Sequence, residues 1–305
     1  MGKLTDKVII VSGSGRGIGR ELALAAAAEG ARVVVNDRDV DKSGASNSPA
    51  EITVRDIVAT GGQAVADHGD ISTANDVNAT VQLALDHFGR LDGVVNNAGI
   101  LRDRMIFSME DDDWDAVMRV HLRGHFLLTR AACQHWRKVA KKSGAPARGH
   151  VVCVSSEAGI YGHAGQANYS AAKGGIASFS LVVAREMQRY GVTCNTVAPR
   201  ARTRMTESAF DSLGDGDGPH LWDAQNVAPL VNFLLADTGS SYTGQTFVAG
   251  GGVLQVIASP RVAHEVSIGE TPLSQQEIAE FVQGALGAAA ETVVFPDLGL
   301  SSLLR

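Results

Sequence analysis

Short runs that are apolar at nearly every position recur along the chain, separated by stretches with helical spacing. Residues 7–12 (KVIIVS) and 31–36 (ARVVVN) are rich in β-branched side chains, and the same texture returns at 63–65, 91–95, 150–154, 192–197 and 246–249. A strand that is apolar throughout is buried on both faces, which implies a parallel sheet covered by helices. The intervening stretches, among them an Ala-rich one ending near Gly30 and those at 76–88, 112–141 and 169–189, predict helices. Strand and helix in alternation, joined by right-handed crossovers, give an α/β doubly wound Rossmann-type fold.

Three stretches break this rhythm. Residues 39–48 are polar and predict a surface loop. Residues 201–219 end in a Gly-Asp-Gly-Asp-Gly run suited to a substrate lid. Residues 253–305 follow the expected last core strand and predict a small extension packed on the same domain: a hairpin around Pro260, then a helix from Ser274 to about Leu286. Ser274 with Glu277 three residues on has the form of a capping box. The expected organisation is one Rossmann-type domain, 1–252, with the extension 253–305.

Composition narrows the function classes. Of 305 residues, 45% are hydrophobic and 20% charged, enough for a large core and unlike a disordered chain. A net charge of −6 argues against nucleic acid as a partner. Cys133, Cys153 and Cys194 are odd in number and widely spaced, and they read as free thiols with no metal site. The sequence lacks an 18-residue apolar run and a basic-then-apolar leader, so the expectation is a soluble cytoplasmic protein without a membrane partner.

The first strand runs into Gly13-Ser14-Gly15-Arg16-Gly17-Ile18-Gly19, a Gly-x-x-x-Gly-x-Gly loop. Gly13 allows a sharp turn, Gly17 removes a side chain where backbone meets a diphosphate, and Gly19 lets the helix pack close to the sheet. Such a loop is either a structural turn or a dinucleotide cradle. Its place between the first strand and the first helix favours the cradle, with the diphosphate at the helix N-terminus. Asp37 closes the second strand 18 residues after Gly19, where a carboxylate accepts from ribose hydroxyls and repels a 2′-phosphate. That selects NAD over NADP, although Arg16 and Arg38 offer charge for a 2′-phosphate. Asp70 and Ile71 follow the third strand and are candidates for the adenine end.

Two further runs join this loop: Asn96-Asn97-Ala98-Gly99 after the fourth strand, and Tyr169-Ser-Ala-Ala-Lys173 with Ser156 thirteen residues before the tyrosine. The set resembles the short-chain dehydrogenase/reductase superfamily over about residues 5–252. Residues 94–104 (VVNNAGILRDR), 120–124 (VHLRG), 165–173 (GQANYSAAK), 194–199 (CNTVAP) and Arg204-Met205-Thr206 are similar to the (3R)-hydroxyacyl-CoA dehydrogenase part of the peroxisomal D-bifunctional (multifunctional enzyme type 2) group and its bacterial relatives.

The resemblance implies a nicotinamide-dependent oxidoreductase acting on a CoA thioester. Asn97, Ala98, Gly99, Tyr169 and Pro199 would lie along the cofactor, Lys173 would hold the nicotinamide ribose, and Ser156 would bond the substrate oxygen. It also implies a homodimer or homotetramer built on the helices at 112–141 and 169–189. The residue types suit the chemistry. A free tyrosine ionises near pH 10, and a lysine one helical turn on, on the same face, favours its phenolate. Tyr169 then acts as base in oxidation and acid in reduction. His121 stands where the superfamily has an asparagine that helps hold a relay water, and the D-bifunctional group has histidine there too. Arg200 replaces the glycine of the superfamily's Pro-Gly pair; with Arg102, Arg104, Arg202 and Arg204 it either pairs with CoA phosphates or faces solvent. Steroid or branched acyl groups remain open as substrates. Other readings are an NADPH-dependent 3-ketoacyl thioester reductase, a dehydrogenase of another secondary alcohol such as a hydroxysteroid, or a catalytically silent nucleotide-binding regulator.

Overall fold

The computed structural model describes residues 2–39, 47–202, 221–260, 262–266 and 272–286. Strands β1 (Val8–Ser12), β2 (Arg32–Asn36), β3 (Gln63–Asp67), β4 (Gly93–Asn96), β5 (His150–Val154), β6 (Thr193–Pro199), β7 (Thr246–Gly250) and β8 (Val253–Ile257) form one sheet in the order β3-β2-β1-β4-β5-β6-β7-β8. Pairing is parallel from β3 to β7, and β8 runs antiparallel to β7. The helices are α1 (Gly17–Ala28), α2 (Pro49–Ala59), α3 (Ala74–Phe88), α4 (Asp111–Met118), α5 (Gly124–Ser143), α6 (Glu157–Tyr161), α7 (Ala167–Met187), α8 (Ala228–Leu235) and α9 (Gln275–Leu286).

Alternate residues of each strand feed two separate cores. Ile9, Val11, Val33, Val35, Val95, Val152 and Val197 face the layer of α1, α2 and α8, where Leu22, Ile57, Val231 and Leu234 meet them. Val8, Ile10, Val34, Val94, Val151 and Cys194 face the layer of α3, α5 and α7, where Val77, Leu128, Trp136 and Ile176 pack. Each such side chain contributes about 1.5–3 kcal/mol by leaving water. Trp136 also donates its indole N–H to the Leu91 carbonyl at 2.7 Å, so its polar atom is satisfied inside the core. The doubly wound sheet expected from the apolar runs is therefore present, and the three cysteines are free thiols.

Three departures are instructive. The expected hairpin around Pro260 lies elsewhere: Gly250, Gly251 and Gly252, all at positive φ, turn the chain back so that residues 253–257 add β8 to the sheet. The helix expected over 112–141 is interrupted by a π-turn at Arg119–Arg123 between α4 and α5. Helices α2, α6 and α8 carry no distinct signal in the apolar pattern; α6 has five residues, too few to show a period.

The chain divides into two compact units, Met1–Ile257 and Ala258–Arg305. In the second, α9 starts as its capping box predicts. The Glu277 amide donates to Ser274 Oγ at 3.3 Å, and the Ser274 amide donates to Glu277 Oε2 at 2.8 Å. Most of the polar loop at 39–48 and most of the lid stretch at 201–219 lie outside the described residues, as do Arg204, Met205 and Thr206. Among the described residues no helix is long and apolar enough to cross a membrane.

The sheet order reverses between β1 and β4. From β1 the chain winds outward to β2 and β3, then returns to β4 on the other side. Loops leaving the C-terminal ends of β1 and β4 part in opposite directions, and a crevice opens between them.

Candidate active site

Of the catalytic and cofactor-binding candidates, all but Ser14 and Gly19 line one continuous cleft of about 370 Å³ at this reversal point. At its centre two loops are locked together. Ser12 Oγ accepts from the amides of Asn97 and Ala98 at 2.9 and 3.1 Å. Asn97 Nδ2 donates to the carbonyls of Ser12 and Gly13, both at 3.0 Å. Asn97 thus shapes the glycine loop as well as lining the cleft. Gly13 has φ +63°, and a Cβ there would stand 2.8 Å from Ala98 Cα. A Cβ on Gly19 would run into the Gly13 carbonyl and the Asn97 amide, which explains a glycine behind the cleft wall. Ser14 is buried behind the cleft wall and donates to the Val11 carbonyl at 2.6 Å.

Helix α1 opens into the cleft with no side-chain cap and no acidic residue in its first turn. Its first amides are therefore available to an anion, which is what a diphosphate requires. Beyond them lies a ring of charge. The Asp37 carboxylate accepts from the amides of Gly15 and Asp39 at 3.0 and 3.1 Å. Arg16 pairs with Asp39 at 2.9 Å and Arg38 with Asp70 at 3.4 Å. Burial works to raise the Asp70 carboxyl, but hydrogen bonds from Ser72 and the Arg38 charge prevail and hold it below its ordinary range. The sequence reading missed Asn36, whose Nδ2 bonds Asp67 Oδ2 and the Gly69 carbonyl at 2.6 and 2.9 Å and so fixes the turn that presents Asp70.

The other end of the cleft holds the catalytic candidates. Lys173 is fully buried on α7, and its amine donates to the Val154 carbonyl at the end of β5 at 2.6 Å. Burial pushes it down to about 7, with the Cys153 thiol opposing weakly. Its nitrogen lies 5.5 Å from the Tyr169 ring centre. Burial raises the Tyr169 hydroxyl above its ordinary range; the nearby Ser156 hydroxyl offsets part of this, and Asp103 adds to it. Ser156 is the N-cap of α6, accepting from the Ala158 amide at 3.2 Å.

His121 sits in the π-turn, a local widening that often marks functional positions. Its ring meets Tyr169 edge-on at 5.2 Å, and its Nε2 lies 3.0 and 2.8 Å from the amide and carbonyl of Ile100. Burial first, then the Lys173 charge, push it down to about 3, so it is neutral. Gly99 leaves the space the His121 ring fills. His125, one turn on, went unnoticed in the sequence. It is buried and held well below its ordinary range by burial, Lys173 and His121.

The arginines separate. Arg200 is committed to Glu157 through two hydrogen bonds at 2.8 and 2.6 Å, which takes it away from CoA phosphates. Arg102 and Arg104 are exposed. Arg202 donates its amide to the Trp222 carbonyl at 2.7 Å.

A locked glycine loop, an uncapped helix start and a Tyr–Lys pair with its lysine buried, at the reversal point of a doubly wound sheet, are the working parts of a dinucleotide-dependent oxidoreductase. The chain belongs to the short chain dehydrogenase family, whose profile matches residues 7–213. It is an oxidoreductase acting on CH–OH groups with a nicotinamide cofactor. It is 43% identical over 286 residues, 90% of this chain and 87% of the relative, to the hydroxyacyl-CoA dehydrogenase ChsB1 of Mycobacterium tuberculosis. It is 42% identical over 253 residues to the mouse (Mus musculus) peroxisomal multifunctional enzyme type 2, covering 82% of this chain but 32% of that longer protein. A crystal structure of a short chain dehydrogenase from Mycobacterium avium superposes with a TM-score of 0.84 at 42% identity, covering 94% of this chain and 96% of the other.

Proposed function

We propose that this chain interconverts (3R)-3-hydroxyacyl-CoA and 3-ketoacyl-CoA with NAD, as a cytoplasmic homodimer or homotetramer. The observation that carries the reading is the Tyr169–Lys173 pair, its lysine buried 5.5 Å from the phenol ring, with Ser156 on the same cleft wall. The thioester substrate follows the hydroxyacyl-CoA dehydrogenase among the relatives.

The cleft fits a nicotinamide dinucleotide. The amides of α1 would hold its diphosphate, Asp37 a ribose at one end, and Lys173 the ribose at the other. When bound, the nicotinamide supplies the hydride acceptor in oxidation and the hydride donor in reduction. The proton belongs to the chain. Tyr169 takes it from the substrate hydroxyl in oxidation and returns it to the carbonyl oxygen in reduction. Ser156 holds that oxygen beside the phenol. Burial disfavours the Tyr169 phenolate and the Lys173 ammonium taken singly, so each charge is best carried in the presence of the other. Neutral His121 braces the Tyr169 ring from the side.

NAD is favoured because Asp37, Asp39 and Asp70 crowd the ribose end, and the two arginines near them are paired. A second reading, an NADPH-dependent ketoacyl reductase, draws on those same arginines, since exposed pairs separate at little cost. Both are tested by following reduced nicotinamide absorbance with medium-chain (3R)-3-hydroxyacyl-CoA and NAD or NADP. Turnover with NAD at least about tenfold faster is expected, a difference of ~1.4 kcal/mol. Turnover with NADP alone would move the assignment to the reductase. Cofactor binding without turnover of any thioester would point to another alcohol.

A further inference from the structure

Arg200 and Glu157 meet at a joint the chemistry depends on. The guanidinium grips the carboxylate through Nε and Nη2, and the two side chains are 16% and 11% exposed. Such two-point pairing fixes orientation as well as distance. Glu157 opens α6, and the residue just before it is Ser156, the N-cap. Two residues further on, α6 is pressed against α7: a Cβ on Gly159 would lie 2.6 Å from Lys173. Arg200 itself directly follows Pro199, on the cleft wall, and its amide donates to the Ala249 carbonyl in β7 at 2.7 Å. Gly250, at φ +126°, leaves room for the Arg200 carbonyl. A helix of five residues does not hold itself in place. Its orientation comes from these outside contacts.

We propose that Arg200 and Glu157 are a positioning pair for Ser156, setting the start of α6 so that the serine hydroxyl meets the Tyr169 phenol and tying it to the end of β6. The proposal rests on the dehydrogenase reading for its catalytic consequence. With the pair broken, Ser156 drifts from the cleft wall it shares with Tyr169, and the phenol loses the serine hydroxyl that offsets its burial. Its phenolate then forms at higher pH, and neutral-pH oxidation slows.

The variants are Glu157→Gln, Arg200→Gln, Arg200→Lys and the exchanged double variant Glu157→Arg/Arg200→Glu. Expected for the two glutamine variants is a fall in kcat of roughly ten- to hundredfold, the cost of an ångström-scale misplacement. NAD affinity stays nearly constant and the base limb of the pH–rate profile moves upward. Arg200→Lys restores part of the rate, because an ammonium gives charge without the two-point grip. Partial rescue by the exchanged pair adds support. If the glutamine variants lower the melting temperature but leave kcat and the pH profile unchanged, the pair only braces the fold and the proposal fails. One readout needs no turnover: ultraviolet titration of tyrosine ionisation, with Tyr169 identified by difference against Tyr169→Phe. A rise in the Tyr169 pKa in Glu157→Gln like that in Ser156→Ala supports the pair, and an unchanged value overturns it. A wild-type chain that oxidises no alcohol condemns the dehydrogenase reading instead, and leaves this titration decisive for the pair.

Discussion

At one end of the cleft, Arg16 and Arg38 reach across open surface to Asp39 and Asp70, with Arg side chains about half exposed. At the other, Lys173 of α7 is buried with its amine on a backbone carbonyl, and two histidines beside it are driven to neutrality. Exposed ion pairs of the first kind are worth about 0–1 kcal/mol and exchange partners readily. A buried amine of the second kind costs stability, and such costs gather where a shifted pKa is used. On the proposed reading the ribose end would select by a soft balance of charges, and the catalytic end would act through a desolvated one.

The largest effect should come from Lys173→Met. Loss of roughly a thousandfold or more in turnover is expected from removing the charge that supports the base. The same variant should be more stable near neutrality. Below pH 7 the folded chain must carry a charge that burial disfavours, and between about 7 and 10.5 the unfolded chain holds a proton there that the folded chain lacks. Wild-type stability from this group therefore rises with pH, and the variant's advantage shrinks. The gain is on the order of 4–5 kcal/mol at most, less ~1–3 kcal/mol for the Val154 carbonyl left without its donor. Melting curves at pH 6.5 and 9 check it: an advantage that grows with pH would contradict the burial argument.

A smaller effect belongs to Asp37→Asn. The variant keeps an acceptor for the Gly15 or Asp39 amide and loses the charge. The ratio of kcat/KM for NADP to that for NAD should rise about ten- to hundredfold, ~1.4–2.8 kcal/mol. An unchanged ratio would remove Asp37 as the selector. Least of all, Arg38→Ala should change kcat/KM for NAD less than about threefold, and the melting temperature hardly at all. A loss of a hundredfold there would mean the exposed end is as rigid as the buried one.

Legibility in the sequence follows the same division. The strands at 7–12, 31–36 and 150–154 were readable because burial on both faces leaves apolar side chains at every position. Gly13, Gly17, Ser156, Tyr169 and Lys173 were readable because backbone approach and helical spacing dictate residue type and interval. The roles of Ser12, Asn36 and Arg200 were not, since their partners lie 85, 31 and 43 residues away and no local period connects them. His125 was hidden in an ordinary helical stretch. Its burial close to Lys173 distinguishes it. The turn before β8 is made by three glycines at positive φ and not at Pro260, since a proline marks a turn in the sequence whereas a glycine's φ does not show there.

The central claim, that Tyr169 moves the proton and adds little to the cofactor's affinity, is tested most directly by Tyr169→Phe. Nucleotide affinity would be read by fluorescence titration and turnover by nicotinamide absorbance, on the same preparation. The account predicts turnover lowered by about a thousandfold or more with nucleotide affinity within about threefold of wild type. Affinity lost together with turnover, or turnover retained, would contradict it.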